Sequence, residues 1–301
     1  MKVIESHVVP DGVGEIRLQD YAPSIFISIS SHQGMKKAIK KKKVLVDGIV
    51  ASTGLWVKPG QRIELCDLEL PPVKVYEVQL EVIYEDEHIA VINKPAGISV
   101  SGNLFRTIQN ALPFNLKSSS CQDELPVFRP VHRLDNPTCG LLLIAKTSQA
   151  IGELGVQFEN RTITKQYTAV VIGNLPDKGK VDMPVDGKDA ISSFRVIRRN
   201  NSIRNQTLSM VHLFPKTGRT HQLRIHMAGM GTPILGDKLY GSEGEILRKK
   251  GLFLCATGLQ FHHPFTKEKM DLSVDPPYKF GRFMEMEEMR WEKYKDDLNV
   301  V

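Results

Sequence analysis

The sequence has few cysteines, and they stand in no pattern that would pair them or bind a metal. The four, Cys66, Cys121, Cys139 and Cys255, are far apart and form no C-x-x-C pair. This spacing argues against a disulfide framework and against a zinc site. Because isolated thiols are typical of reducing compartments, we expect a cytoplasmic protein without a bound metal.

Long apolar runs are also missing. Runs such as residues 141–145 are far too short to cross a bilayer, and residues 1–12 contain no apolar stretch. We therefore expect neither a membrane segment nor a signal peptide.

The motifs of several enzyme classes are absent as well. There is no G-x-x-x-x-G-K-[ST] or G-x-G-x-x-G loop, no H-E-x-x-H and no G-x-S-x-G. These absences count against nucleotide-cofactor enzymes, zinc peptidases and serine hydrolases. The pair His262-His263 has no third ligand at metal spacing, so we interpret it as a surface turn before Pro264. We expect no cofactor.

What the chain does contain is an ordinary folded composition with a basic balance. Its 301 residues are 41% apolar, which leaves room for one large and one small domain. The formal charge of +6 and the pI of about 9.0 favour a polyanionic partner.

A dense lysine cluster sets the N-terminal part of the chain apart. The cluster lies between residues 36 and 43 and consists of Lys36, Lys37, Lys40, Lys41, Lys42 and Lys43. An apolar run then ends in the turn signal Asp47-Gly48, and a second turn follows at 57–60 before the strand-like residues 63–65. The pattern predicts a short basic helix followed by a small sheet. With Pro71-Pro72 as the linker, we expect one domain at 1–75 and another at 76–301.

Strand-like and helix-like segments intermix in the rest of the chain. Sequence patterns predict strands at 82–84, 89–92, 141–146, 165–173 and 206–214, and helices at 149–160, 219–230 and 283–297. Since these segments follow no regular βαβ rhythm, an α+β fold is favoured over a doubly wound sheet.

Three clusters of polar residues in apolar surroundings could carry chemistry. Asp135 lies just before the run 141–146, where a carboxylate can be held rigid and partly desolvated. Asp135-Asn136-Pro137 also favours a turn, so a turn aspartate remains an alternative. Tyr167 lies on a predicted strand, where a core tyrosine is the alternative. Arg219 lies at a predicted helix start, with Arg224 further on, which could instead be a solvated basic face.

Together these clusters resemble the RluA-type pseudouridine synthases over roughly residues 78 to 275. The matching motifs are His132-Arg133-Leu134-Asp135 with Thr138, Gly140 and the run 141–146; Lys165-x-Tyr167 with Ala169 and Gly173; Thr217 to His226; and Gly231-x-Pro233 to Tyr240-Gly241. The resemblance implies a mixed, largely antiparallel sheet and an enzyme that isomerises uridine in structured RNA.

The resemblance also implies roles for single residues. Asp135 would be the catalytic carboxylate and Arg219 its cationic partner. Tyr167 would stack on the uracil, and its hydroxyl could help remove the proton from ring carbon 5. Arg133 would fill the space left by the extruded base or bind a phosphate. The remaining substrate contacts would come from His132, Lys165, His221 and Arg224.

The implied reaction accounts for the absent cofactor motifs. The bond between sugar carbon 1 and uracil N1 breaks, and ring carbon 5 then bonds to the same sugar carbon, so no electrons or groups are exchanged. A carboxylate can attack the sugar, stabilise its charge or remove a proton, and the sequence leaves these open.

Two other functions were weighed. A non-catalytic RNA-binding protein could retain the fold, but it would be expected to lose one of Asp135, Tyr167 and Arg219. A glycosidase needs two facing carboxylates, and the only other motif acid, Asp237, fits a structural turn better.

The lysine cluster and the turns after it resemble the second half of the alpha-L RNA-binding domain of a small-subunit ribosomal protein. Residues 24–31, before the cluster, are strand-like rather than helical. The resemblance implies that the lysines bind phosphates without reading sequence. The expected partner is ribosomal or transfer RNA, with no obligate protein partner and a monomeric state.

Overall fold

A computed structural model describes residues 2–26, 29, 31–67, 75–241 and 250–296. Contacts between Cα atoms divide the chain into two compact units, Met1–Val73 and Lys74–Val301. The predicted linker Pro71-Pro72 lies outside the described residues. Within the described ranges, every helix is too short or too polar to cross a bilayer.

The first unit is a small antiparallel sheet with two helices. Its elements are β1 (Lys2–Val8), α1 (Leu18–Tyr21), α2 (His32–Lys40), β2 (Val44–Val46), β3 (Ile49–Val50) and β4 (Arg62–Asp67). The strand order is β1-β4-β2-β3. The basic helix and the small sheet expected from the lysine cluster are therefore both present.

Local sequence explains how α2 and the hairpin after it form. The Ser31 hydroxyl caps α2 by accepting a hydrogen bond from the Gly34 amide. The helix buries Met35, Ala38 and Ile39, so its lysines are left on the other face. Asp47-Gly48 joins β2 to β3 with both residues at positive φ, as a tight hairpin turn requires.

The strand predicted at residues 24–31 is wrong at its beginning. Ser24 ends a 3-10 turn, Ala22–Ser24, and its hydroxyl donates a hydrogen bond to the Tyr21 carbonyl. Pro23 favours this turn because its ring fixes φ near the helical value. Residues 27, 28 and 30 of the predicted strand lie outside the described residues.

The second unit is built on one large mixed sheet. Its strands are β5 (Glu81–Glu85), β6 (Ile89–Lys94), β7 (Glu124–Pro130), β8 (Cys139–Thr147), β9 (Thr164–Ile172), β10 (Lys178–Asp182), β11 (Ile191–Ser202), β12 (Gln206–Pro215), β13 (Leu254–His262) and β14 (Lys269–Ser273). Its helices are α3 (Ile108–Asn115), α4 (Ser148–Glu159), α5 (Gln222–Gly229) and α6 (Lys279–Tyr294).

The order along the sheet is β10-β11-β12-β9-β13-β8-β6-β5, with β14 paired to β13 and β7 paired to β8. All these pairs are antiparallel except β13 with β8. The predicted α+β fold with a mixed, largely antiparallel sheet is confirmed.

The parallel junction of β8 and β13 depends on a glycine. Gly140 has φ +110° and pairs with Ala256. A Cβ at this position would lie 2.2 Å from the Ala256 carbonyl oxygen, so no other residue fits without moving backbone. This close approach fixes the start of β8, only a few residues after Asp135.

Helices α4 and α6 are among those that pack on the sheet. Thr147 caps α4 by accepting a hydrogen bond from the Ala150 amide. Helix α6 begins at Lys279, four residues before the predicted start at 283, because Phe280 joins Met284 in the core. The predicted covering role of this C-terminal helix is confirmed.

Candidate active site

Asp135 lies in the loop between β7 and β8, at the point where two clefts meet. Its carbonyl accepts a hydrogen bond from the Thr138 amide at 3.0 Å, which closes a turn. Its carboxylate is only 15% exposed and faces the side chains of Arg224 and His221 rather than capping the turn. The geometry therefore does not support the alternative of a turn-capping aspartate.

A fully buried lysine holds this loop in place. The Lys94 ammonium donates to the carbonyls of Pro95, Asn136 and Thr138 at 2.9, 3.2 and 2.7 Å. All three of its N–H groups are used, and burial lowers the pKa of Lys94 to about 8. The ammonium therefore ties the end of β6 to both sides of the Asp135 turn.

The cation beside Asp135 is Arg224. Its guanidinium lies 3.7 Å from the Asp135 carboxylate and is 4% exposed. The same guanidinium binds both oxygens of Asp237 at 2.7 Å. Burial alone would lower the pKa of Arg224, but Asp237 outweighs burial and raises it. Arg224 is thus a fixed positive charge, not part of a solvated helix face.

Asp237 has the structural role expected for it. It accepts backbone hydrogen bonds from Leu239 and Tyr240 at 2.9 and 3.2 Å and is completely buried. Its contacts hold the Arg224 fork in one orientation, with the remaining amino group directed toward Asp135.

The expected pairing of Asp135 with Arg219 is wrong. Arg219 donates through Nε to the Asp189 carbonyl at 3.1 Å, and its amide donates to Gln222. Helix α5 begins at Gln222 rather than Arg219, because His221 stands at φ +56° and ends the preceding turn. This offset leaves Arg219 on the cleft wall and turns Arg224 inward.

His221 also faces the carboxylate. Its Nε2 lies 3.8 Å from Asp135, and its Nδ1 lies 2.9 Å from the Tyr240 hydroxyl. Because the Tyr240 hydroxyl holds one ring nitrogen, the other is directed at the cleft.

The first cleft, the Asp135 cleft, has a volume of about 270 Å³. Its polar and aromatic lining consists of His132, Arg133, Asp135, Thr138, Phe158, Lys165, Tyr167, Thr217, Arg219, Thr220, His221, Gln222 and Arg224. Burial, together with the nearby Asp135 charge, raises the pKa of Tyr167, so its hydroxyl stays protonated. Burial also lowers the pKa of Lys165. A neutral ring opposite a carboxylate suits a flat, uncharged base.

The second cleft shares Arg133, Asp135, His221 and Arg224 with the first. It continues along the loop at 99–101 and along the turn at 236–239. Asp135 is therefore reached from two sides.

Known proteins share this arrangement of strands and sequence motifs. The sequence profile of the family described as RNA pseudouridylate synthase matches residues 88–229. The ribosomal large subunit pseudouridine synthase D of Xanthomonas campestris is 32% identical over 92% of this chain and 90% of its own length. The dual-specificity RNA pseudouridine synthase RluA of Haemophilus influenzae is 38% identical over 68% of this chain and 95% of its own. The solved structure of human RNA Pseudouridylate Synthase Domain Containing 1 is 25% identical with a TM-score of 0.56, over 70% of this chain and 87% of that one.

The chain belongs to the RNA pseudouridylate synthase family. It is an RNA pseudouridine synthase, an isomerase that acts on uridine in RNA. The resemblance identified from the sequence motifs is confirmed, and the alternatives of a non-catalytic RNA-binding protein and a glycosidase are set aside.

His132 and Arg133, two predicted site residues of the synthase, differ in their surroundings. His132 accepts a hydrogen bond from the Leu143 amide at 3.1 Å, and burial lowers the pKa of His132 to about 3. Its neutral ring thus anchors the Asp135 loop to β8 and also lines the Asp135 cleft, so the expected substrate contact stays a prediction. Arg133 is exposed and lines both clefts, where it can reach an RNA strand.

Proposed function

We propose that Asp135 is the carboxylate that meets sugar carbon 1 of the target uridine in this synthase. The supporting observation is its position between two clefts, beside a buried guanidinium that Asp237 holds by two hydrogen bonds. A fixed cation needs no reorganisation when charge develops or moves on the carboxylate during the reaction.

The target nucleotide would enter the Asp135 cleft after leaving its stack, at a cost of a few kcal/mol. Tyr167 would stack on the uracil, and its protonated hydroxyl makes stacking a better role for it than proton removal. Arg133, exposed at the mouth of both clefts, would occupy the vacated space or contact a phosphate.

The proposed substrate is large-subunit ribosomal RNA. Relatives named ribosomal large subunit pseudouridine synthase D match nearly the whole chain, as in Xanthomonas campestris with 92% covered. The relative named for dual specificity covers a smaller share, 68%. The protein would meet this RNA in the cytoplasm, where its four free cysteines are suited to a reducing environment.

Carbodiimide mapping of cellular RNA with and without the gene tests this assignment. We expect at least one pseudouridine in large-subunit ribosomal RNA to vanish on deletion and to return when the gene is restored. Loss confined to transfer RNA would reject the ribosomal substrate. An unchanged map, together with no product from transcribed ribosomal RNA in vitro, would reject both ribosomal RNA and transfer RNA as the substrate.

We further propose that the first unit binds RNA phosphates through the lysine face of α2. Lys36, Lys37, Lys40, Lys41 and Lys42 are exposed, whereas Lys43 is half-buried. Replacing these five exposed lysines by glutamine should flatten the salt dependence of RNA affinity, because each lost phosphate contact lowers the slope by about 0.7 to 0.9. Filter binding of transcribed ribosomal RNA between low and moderate salt measures that slope. An unchanged slope would rule out the lysine face.

A further inference from the structure

A third space, distinct from the two clefts that meet at Asp135, opens beside the Asp135 cleft near the end of α4. This basic groove has a volume of about 320 Å³ and is lined by Phe158, Glu159, Arg161, Ile163, Lys165, Lys216, Thr217, Gly218 and Arg219. Five of these residues, Phe158, Lys165, Thr217, Gly218 and Arg219, also line the Asp135 cleft. The two spaces therefore adjoin, and a chain that leaves the cleft on this side can enter the groove.

The charge of the groove suits a polyanion. Four cationic side chains line it, from Arg161, Lys165, Lys216 and Arg219, against the single carboxylate of Glu159. Within the described ranges, Glu159 forms no ion pair with any of the four. Glu159 therefore does not neutralise these four cations by ion pairing. Lysine and arginine side chains are the usual protein contacts to the phosphates of a nucleic-acid backbone.

The backbone conformation at Arg161 fixes the point from which its side chain extends. Arg161 follows α4 in the left-handed region at φ +57°, where helices commonly end on glycine. Its amide donates to the Phe158 carbonyl at 3.2 Å, so the turn is closed and the side chain is set outward.

Lys216 is placed in a similar way on a different element of the groove lining. Its amide donates to the Ile191 carbonyl at 2.9 Å, which fixes its backbone to β11, while its side chain is exposed. The groove thus has two outward cations, Arg161 and Lys216, on separate fixed elements. Lys165 and Arg219 lie between them and Asp135.

We propose that the basic groove binds the ribose-phosphate backbone of the nucleotides next to the target uridine. The strand would run from the Asp135 cleft past Lys165 and Arg219 to Arg161 and Lys216. This inference rests on the proposed function, because the Asp135 cleft is taken as the place of the target uridine. The contacts are to phosphates, so they would position the strand without selecting its sequence.

The test uses the full chain with Arg161→Gln and Lys216→Gln combined, neither of which lines the Asp135 cleft. The control combines Lys178→Gln and Arg282→Gln, which remove the same charge from exposed positions outside every cleft named here. Binding of fluorescein-labelled decauridylate is measured across salt concentrations for both variants and the wild type. Steady-state kinetics on transcribed large-subunit ribosomal RNA are measured alongside.

The groove variant should lower the slope of log affinity against log salt by about 1.4, which corresponds to two single-strand phosphate contacts. Its KM should rise about tenfold while kcat stays within about twofold, since the chemistry is not touched. The control should match the wild type in both. A groove variant with the slope of the control overturns the inference, even if the enzyme is active. Wild-type protein that makes no pseudouridine overturns the proposed function instead, and the decauridylate slopes still decide whether the groove binds phosphates.

Discussion

Replacing Asp135 by asparagine should abolish pseudouridine formation while RNA binding survives. The amide keeps the size and the turn of the loop, whose hydrogen bond comes from the backbone carbonyl. It cannot attack sugar carbon 1, carry negative charge or take a proton, so each possible role of the carboxylate is lost. We expect a loss in kcat on the order of 10⁴-fold or more, as for other essential catalytic groups. Single-turnover formation of pseudouridine on transcribed ribosomal RNA measures it.

The matched control is Asp271→Asn, an exposed aspartate on β14 that contacts Gln260. It removes the same charge and should leave both activity and RNA affinity near the wild-type values. If the Asp135 variant retained a kcat within tenfold of the wild type, Asp135 could not be the catalytic carboxylate. Loss of RNA binding at the same time would indicate a damaged fold, which circular dichroism and the thermal midpoint would reveal.

Local sequence was sufficient to place the carboxylate but not its partner. Asp135 precedes a continuous apolar run, and such a run has to enter the core, so the loop before it is fixed at the start of the central strand β8. The position of Arg224 depends instead on where α5 starts. His221 at φ +56° delays the helix to Gln222, and a shift of three residues changes which arginine faces inward. Nothing in the local sequence pattern predicts a left-handed backbone conformation at His221.

The buried lysine was missed for a different reason. A lysine after a strand is ordinarily a surface residue, and only the fold brings Asn136 and Thr138 within reach of the Lys94 ammonium. Contacts between residues about forty positions apart belong to the topology of β6 and β8, which the periodicity of each strand does not determine.

The largest stability effect is expected from Arg224→Met. This change leaves Asp237 buried and charged without its bidentate partner, and breaking a buried pair in this way typically costs about 3 to 5 kcal/mol. The same change removes the cation that lies 3.7 Å from Asp135, so activity should fall together with the free energy of unfolding. Urea unfolding measures the first effect and single-turnover kinetics the second.

A second substitution separates the two effects. Asp237→Asn keeps the oxygen that accepts hydrogen bonds from Leu239 and Tyr240 but removes the buried charge. In the double variant with Arg224→Met, no uncompensated charge is left in the core, so about 2 kcal/mol or more of stability should return. Activity should not return with it, because Asp135 still has no guanidinium beside it. If activity recovered along with stability, Arg224 would act on the fold alone, and the electrostatic role proposed for it would be wrong.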